Sequence, residues 1–324
     1  MSEGEKLKVA IYWASSACGG CDVRFLDIDE DILDVVDIAD FIFWPCAMDF
    51  KLADLSGVEE GGIDICFING AGVRTSEDEE ILEELRCKSK KVVALGSCSC
   101  LGGVPGLGNV TDREGIFKRK YEGSPYLENP EDVRPQSVTE VPEGELTLPE
   151  FRNYVRALDQ LIEVDYYIPG CPPEEEFILE AVERIGGGED LPDGYVFAEE
   201  KTLCDECSYD PPEERTVKEF KRVHEVELKD ECFLKQGIIC MGPATRSGCG
   251  ARCIEGNFPC RGCYGPSRKV EDQGAKMVGL LGSIVDSVDE EEIERVVGGI
   301  SDPLGTLYSY SLPKSFLQRG REEK

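Results

Sequence analysis

Eight of the chain's sixteen cysteines fall between residues 204 and 266, amid glycine and proline and with little apolar periodicity. Such a segment cannot build an ordinary core, so bound metal is expected to organise it. With one histidine in 324 residues, His224, that metal has to be held by thiolate, which favours iron–sulfur clusters or structural zinc. Disulfides are a poor reading for a reducing cytosol. The opening residues "MSEGEKLKV" have no signal-peptide character, and no apolar run approaches the roughly 20 residues of a membrane helix, so a cytoplasmic protein without a membrane segment is expected. Thirty-five Lys and Arg against 66 Asp and Glu give a net charge of −31, which argues against nucleic acid as a partner.

Residues 1–190 read differently. Apolar strand-like runs at 8–13, 41–44, 63–69, 91–96 and 164–170 alternate with stretches of helical spacing. These stretches are Phe25, Ile28, Ile32, Val35, Val36 and Ala39, then Ile81, Leu82 and Leu85, then Phe177, Ile178, Ala181, Val182 and Ile185. This alternation predicts an α/β fold, a doubly wound parallel sheet. Residues 111–150, rich in acids and prolines, read as a long inserted loop, and "GGGEDLPDG" (186–194) as a linker. A small irregular cysteine-rich domain over 195–270 is expected next, and then a helical segment and tail over 271–324.

The thiols of the first part follow its strands. Cys18 and Cys21, in "CGGC", come after the first strand, Cys98 after the 91–96 run and Cys171 after the last. In an open parallel sheet these strand ends share one edge, where ligands bind. Four thiolates gathered there suit a 4Fe–4S cluster. A thioredoxin-like dithiol would explain Cys18 and Cys21 but not Cys98 and Cys171. The "GSCSCLGGVPGLGN" loop (96–109) lacks the spacing of a phosphate cradle.

The later eight divide by spacing into Cys204, Cys207, Cys232 and Cys240, and Cys249, Cys253, Cys260 and Cys263. On spacing alone either set could hold zinc or iron–sulfur. Cys46, Cys66, Cys87 and Cys100 remain; Cys66 reads as core, Cys46 and Cys100 as competing candidates for ligation, and His224 as surface.

With "CGGC" (18–21), "GSC" (96–98), "GGVPG" (102–106), "GCPP" (170–173), "GPATRSGCGARC" (242–253) and "PCRGCYGP" (259–266) together, the chain closely resembles the small, electron-transferring subunit of cytoplasmic nickel–iron hydrogenases. It is most similar to the methyl-viologen-reducing (factor-420-non-reducing) group of methanogens. The resemblance implies a flavodoxin-like first domain docked on a separate nickel–iron large subunit, with a small iron–sulfur subunit and heterodisulfide reductase as further partners. It implies three 4Fe–4S clusters: a proximal one on Cys18, Cys21, Cys98 and Cys171, a medial one on Cys249, Cys253, Cys260 and Cys263, and a distal one on Cys204, Cys207, Cys232 and Cys240. No catalytic residue is implied, because hydrogen is split in the large subunit. Three departures from the periplasmic type are expected: no export signal, Cys204 in place of histidine and Cys253 as a fourth medial thiol. The small subunits of deazaflavin-coenzyme-reducing hydrogenases are a close alternative. The quinone-linked subunit of respiratory complex I shares only the first domain, and a zinc-organised binding module is the reading from a different class.

Overall fold

The computed structural model describes residues 6–14, 17–70 and 73–318; Ser15, Ser16, Ala71, Gly72 and the two chain ends lie outside them. Six strands form one sheet: β1 (Leu7–Trp13), β2 (Ala39–Phe43), β3 (Ile63–Asn69), β4 (Ser89–Leu95), β5 (Tyr166–Ile168) and β6 (Tyr195–Val196). Their spatial order is β2-β1-β3-β4-β5-β6, and each neighbouring pair is parallel. Apart from the added edge strand β6, this is the flavodoxin-like order, with its reversal between β1 and β3.

Alternate residues of the inner strands feed two separate cores, as a period of two requires. Val9, Ile11, Ile65, Phe67, Val93 and Leu95 pack against Phe25, Val35, Ile178 and Val182 on one face. Ala10, Cys66, Ile68, Val92 and Ala94 meet Leu82, Leu85, Leu101 and Leu158 on the other. Cys66 is core, as its place in β3 predicts.

The apolar stripe from Phe25 to Ala39 forms two helices, α1 (Gly20–Leu26) and α2 (Asp31–Ile38), rather than one. Asp29, at φ +50°, turns the chain between them. Helix α3 (Ser76–Lys88) begins where the Thr75 hydroxyl accepts the Asp78 N–H at 3.3 Å, and three acids in its first turn face the positive end of the helix dipole. Two more helices follow strands, α4 (Gly96–Leu101) after β4 and α5 (Glu175–Gly186) after β5. The 186–194 run leads into β6, so the chain beyond it still belongs to the sheet. The 111–150 insertion is not plain loop. It holds a short helix (Arg113–Phe117) and a hairpin (Val138–Val141 with Gly144–Thr147).

The cysteine-rich segment does have an apolar core, shared with the helices downstream of it. Leu203, Val217, Phe220, Phe233, Leu234, Ile238 and Met241 pack with Met277, Leu281 and Ile284 of α6 (Gln273–Ile284). Val296 of α7 (Glu290–Gly298) and Leu312 complete this third core. Short-range periodicity cannot reveal it, because its early half is built from single turns separated by loops.

The tail then returns to the sheet. The Gly103 N–H donates to the Tyr310 carbonyl at 3.0 Å, Gln160 Nε2 donates to the Pro313 carbonyl at 3.1 Å, and Lys314 pairs with Asp159 at 2.5 Å. Pro313 lies on Gly102 and Gly106, where an added Cβ would come within 2.2 and 2.5 Å of it. Among the described residues no helix is long and apolar enough to cross a membrane.

Candidate metal centre

The carboxyl ends of β1, β4 and β5 lie on one edge of the sheet and deliver the first set of thiols. Cys18 and Cys21 lie on the way into α1, Cys98 is in α4, and Cys171 follows Gly170 at the end of β5. The Ser97 N–H donates to the Gly170 carbonyl at 2.7 Å, fastening the Cys98 and Cys171 loops together. Burial pushes the Cys21 thiol far up, and the nearby Cys98, Cys171 and Cys18 push it further. Cys98 is raised to about 12 by burial, then by Cys171 and Cys18. All four predicted thiols of the first set are therefore brought together. Cys100 is buried beside them, with its thiol 3.3 Å from the Ala94 carbonyl, and Cys46 is exposed.

Glycine is required here sterically. At Gly96, φ +86°, a Cβ would come 2.4 Å from Cys21 Sγ; at Gly103, φ +60°, it would come 2.5 Å from Cys98 Sγ. Both positions combine a backbone conformation that side chains disfavour with a sulfur already in the way.

The second set, Cys204, Cys207, Cys232 and Cys240, also converges. Burial and the Cys240, Cys232 and Cys207 thiols raise Cys204 to about 12. Cys240 is raised to about 11 by burial, although the N–H groups of Gly242 and Cys260 face its sulfur. In the third set, Cys263 is raised to about 12 by burial and then by Cys249, Cys171 and Cys253. Cys260, buried among apolar residues, feels Cys240 before Cys263, and so lies at the junction of the second and third sets. The sets also touch at the other end, where the Cys171 N–H faces Cys263. His224 is exposed, as its charged surroundings in the sequence predict.

All sixteen cysteines are free thiols. Crowded, largely buried thiols give up their protons only where a cation takes up the negative charge, which a bound metal core would supply. Backbone donors are already aimed at the sulfurs: the Gly20 N–H at Cys18 and the Tyr209 N–H at Cys207, both at 3.4 Å. The Leu234 and Lys235 amides face Cys232, and the Ala251 amide faces Cys249. Among the described residues no three His, Cys, Asp or Glu side chains are placed to hold a single metal ion. The donor set, sets of four thiols with backbone amide donors around them, fits an iron–sulfur core.

Sequence reasoning missed the residues around these thiols. Glu174 forms ion pairs with Arg252 at 2.6 Å and Arg24 at 3.5 Å, beside the third set. Glu206, Ser97 and Tyr310 also border the sulfurs, and Tyr310 is within hydrogen-bonding reach of Cys171. No local pattern distinguishes them among so many acids and loop residues.

Comparison with known proteins assigns the family. The family model described as "NADH ubiquinone oxidoreductase, 20 Kd subunit" matches residues 18–185, which stop short of Cys204. The iron–sulfur subunit of the F420-non-reducing hydrogenase of Archaeoglobus profundus is 38% identical over 319 residues, covering 97% of this chain and 98% of its own. A subunit of the F420-non-reducing hydrogenase of Methanothermobacter thermautotrophicus is 36% identical over 318 residues, covering 97% and 96%. The chain belongs to this hydrogenase family. As a member it is the small, electron-transferring subunit of an F420-non-reducing hydrogenase, an oxidoreductase component from a family that carries iron–sulfur clusters. Its fold resembles a chain of the NiFeSe hydrogenase of Desulfovibrio vulgaris Hildenborough, at 19% identity and a TM-score of 0.50, over 82% of this chain and 96% of that one.

Proposed function

We propose that this subunit conducts electrons from hydrogen oxidation, in a separate nickel–iron large subunit, through three 4Fe–4S clusters to the heterodisulfide reductase system of methanogenesis, by way of a small iron–sulfur subunit in the cytoplasm. Cys18, Cys21, Cys98 and Cys171 would hold the proximal cluster, Cys249, Cys253, Cys260 and Cys263 the medial one, and Cys204, Cys207, Cys232 and Cys240 the distal one. Bound there, each cluster supplies reversible one-electron uptake with little change of shape.

The observation that carries this reading is the contact of the three thiol sets in series, Cys171 with Cys263 and Cys240 with Cys260. The chain's own residues give each set its environment. Amide N–H groups spread the negative charge of the thiolates, glycines admit a bulky inorganic core, and the surrounding apolar side chains limit water. At the exposed Cys18 edge, Trp13, Val23 and Val104 are 40%, 55% and 50% exposed, an apolar surface suited to the large subunit.

Anaerobic purification of the native complex tests this. About twelve irons with matching acid-labile sulfide per subunit are expected, three four-iron clusters. Zinc in place of iron would refute the reading, and so would a complex lacking a nickel-containing subunit. Peptide identification in the same preparation reports the other partners.

A further inference from the structure

Two acids, Asp205 and Glu206, stand side by side between Cys204 and Cys207, yet they face different ways. Asp205 caps its own turn: its carboxylate accepts the Thr202 N–H at 2.9 Å and the Thr202 hydroxyl at 2.7 Å, and it lies near Cys204. Glu206 reaches across to the next loop. Its Oε1 accepts the Gly248 N–H at 2.5 Å, immediately before Cys249, while Oε2 is buried with no hydrogen-bond partner. Gly248 has φ +115°, and the turn it makes is held from outside by this carboxylate. Cys249 feels Glu206 directly, after its own burial and the Ala251 amide. On the other flank of Cys249 stands Glu174, whose charge is balanced by Arg252 and Arg24. Among the described residues no cation forms an ion pair with Glu206.

We propose that Glu206, although it lies inside the Cys204–Cys207 loop, is a positioning residue for the medial site: it fixes the Gly248–Cys249 turn and sets an uncompensated negative charge there that lowers the medial potential. This rests on the proposed cluster assignment. Negative charge beside an iron–sulfur centre disfavours the added electron, and in a poorly solvated position it is weakly screened. The consequence is a medial site drawn towards its neighbours in potential rather than standing above them as an electron sink.

The test is Glu206→Gln in the anaerobic holocomplex, since glutamine keeps an oxygen for the Gly248 N–H and removes only the charge. Potentiometric titration followed by electron paramagnetic resonance reads each site, with signals assigned through Cys249→Ser and Cys204→Ser. The medial midpoint is expected to rise while the distal midpoint stays in place. A shift at the distal site alone, as the position of Glu206 in sequence would suggest, overturns the proposal, and so does no shift at all. If Glu206→Gln fails to assemble, Glu206→Asp carries the same test, because it keeps the charge but withdraws it from the turn. A smaller medial rise then supports the proposal and an unmoved medial midpoint overturns it. An iron-free wild-type complex would remove the proposed function and this inference together, whereas a loaded wild type with an unresponsive variant removes only the role of Glu206.

Discussion

The Ser97 hydroxyl donates to the Cys263 carbonyl at 2.5 Å, joining the helix that carries Cys98 to the last cysteine of the third set. Ser97 is buried, and its backbone N–H also holds Gly170. One residue thus ties three cysteine loops. Ser97→Ala removes the donor to the part-buried carbonyl of Cys263 and is expected to cost about 0.5–1.5 kcal/mol. Denaturant unfolding of the anaerobic protein measures this.

Gly103→Ala should empty the first site selectively. The new methyl meets Cys98 Sγ at 2.5 Å and Cys98 Cα at 2.8 Å, and φ +60° is unfavourable for alanine. Iron content is expected to fall by about a third, the share of one four-iron cluster in three. The distal resonance signal should stay unchanged.

Cys204→His is expected to raise the distal midpoint, because imidazole donates less negative charge to a cluster than thiolate does. Redox titration of the variant complex reads it. An unmoved or lowered midpoint would count against Cys204 as a ligand.

Asp165 supplies a pH-dependent share of fold stability. Burial alone would raise its carboxyl, but the Val92 N–H at 2.8 Å, Arg86 at 2.7 Å and Lys91 at 3.0 Å outweigh this and hold it below the ordinary 3.8. Because the folded value is the lower one, the stabilisation is fully present above the unfolded value and is lost as pH falls below it towards the folded value. Asp165→Asn should therefore destabilise at pH 7 by about 1.5–3 kcal/mol, the range for hydrogen bonds to charged groups. Its stability curve should run closer to that of the parent below about pH 4. Thermal unfolding across pH 3–7 tests both statements.

The strand-end position of Cys18, Cys21, Cys98 and Cys171 was legible because a parallel sheet puts those ends on one edge whatever the loops do. Cys66 was legible as core for a similar reason, being one apolar residue in a strand buried on both faces. Strand β6 was not, since two residues after a glycine-rich run carry no period. The break between α1 and α2 depends on a single left-handed Asp29, which interrupts no apolar spacing. Cys260 was assigned by spacing to one set, yet it also adjoins Cys240, because the Met241 N–H bonds to the Cys260 carbonyl at 3.0 Å and draws the two loops together. That pairing is tertiary, and so are the contacts of Glu206 and Ser97 with their distant loops.

The clasp made by Tyr310, Pro313 and Lys314 bears on how such a protein is made. These residues lie far downstream of Gly102, Gly103 and Asp159, which they grip. During synthesis the sheet domain can fold early, but it stays unlatched until that stretch emerges. Until then Tyr310 is not in place beside Cys171 and Cys263, which it borders in the folded chain. The wall beside these two thiols is therefore completed only once residues 310–314 have been made.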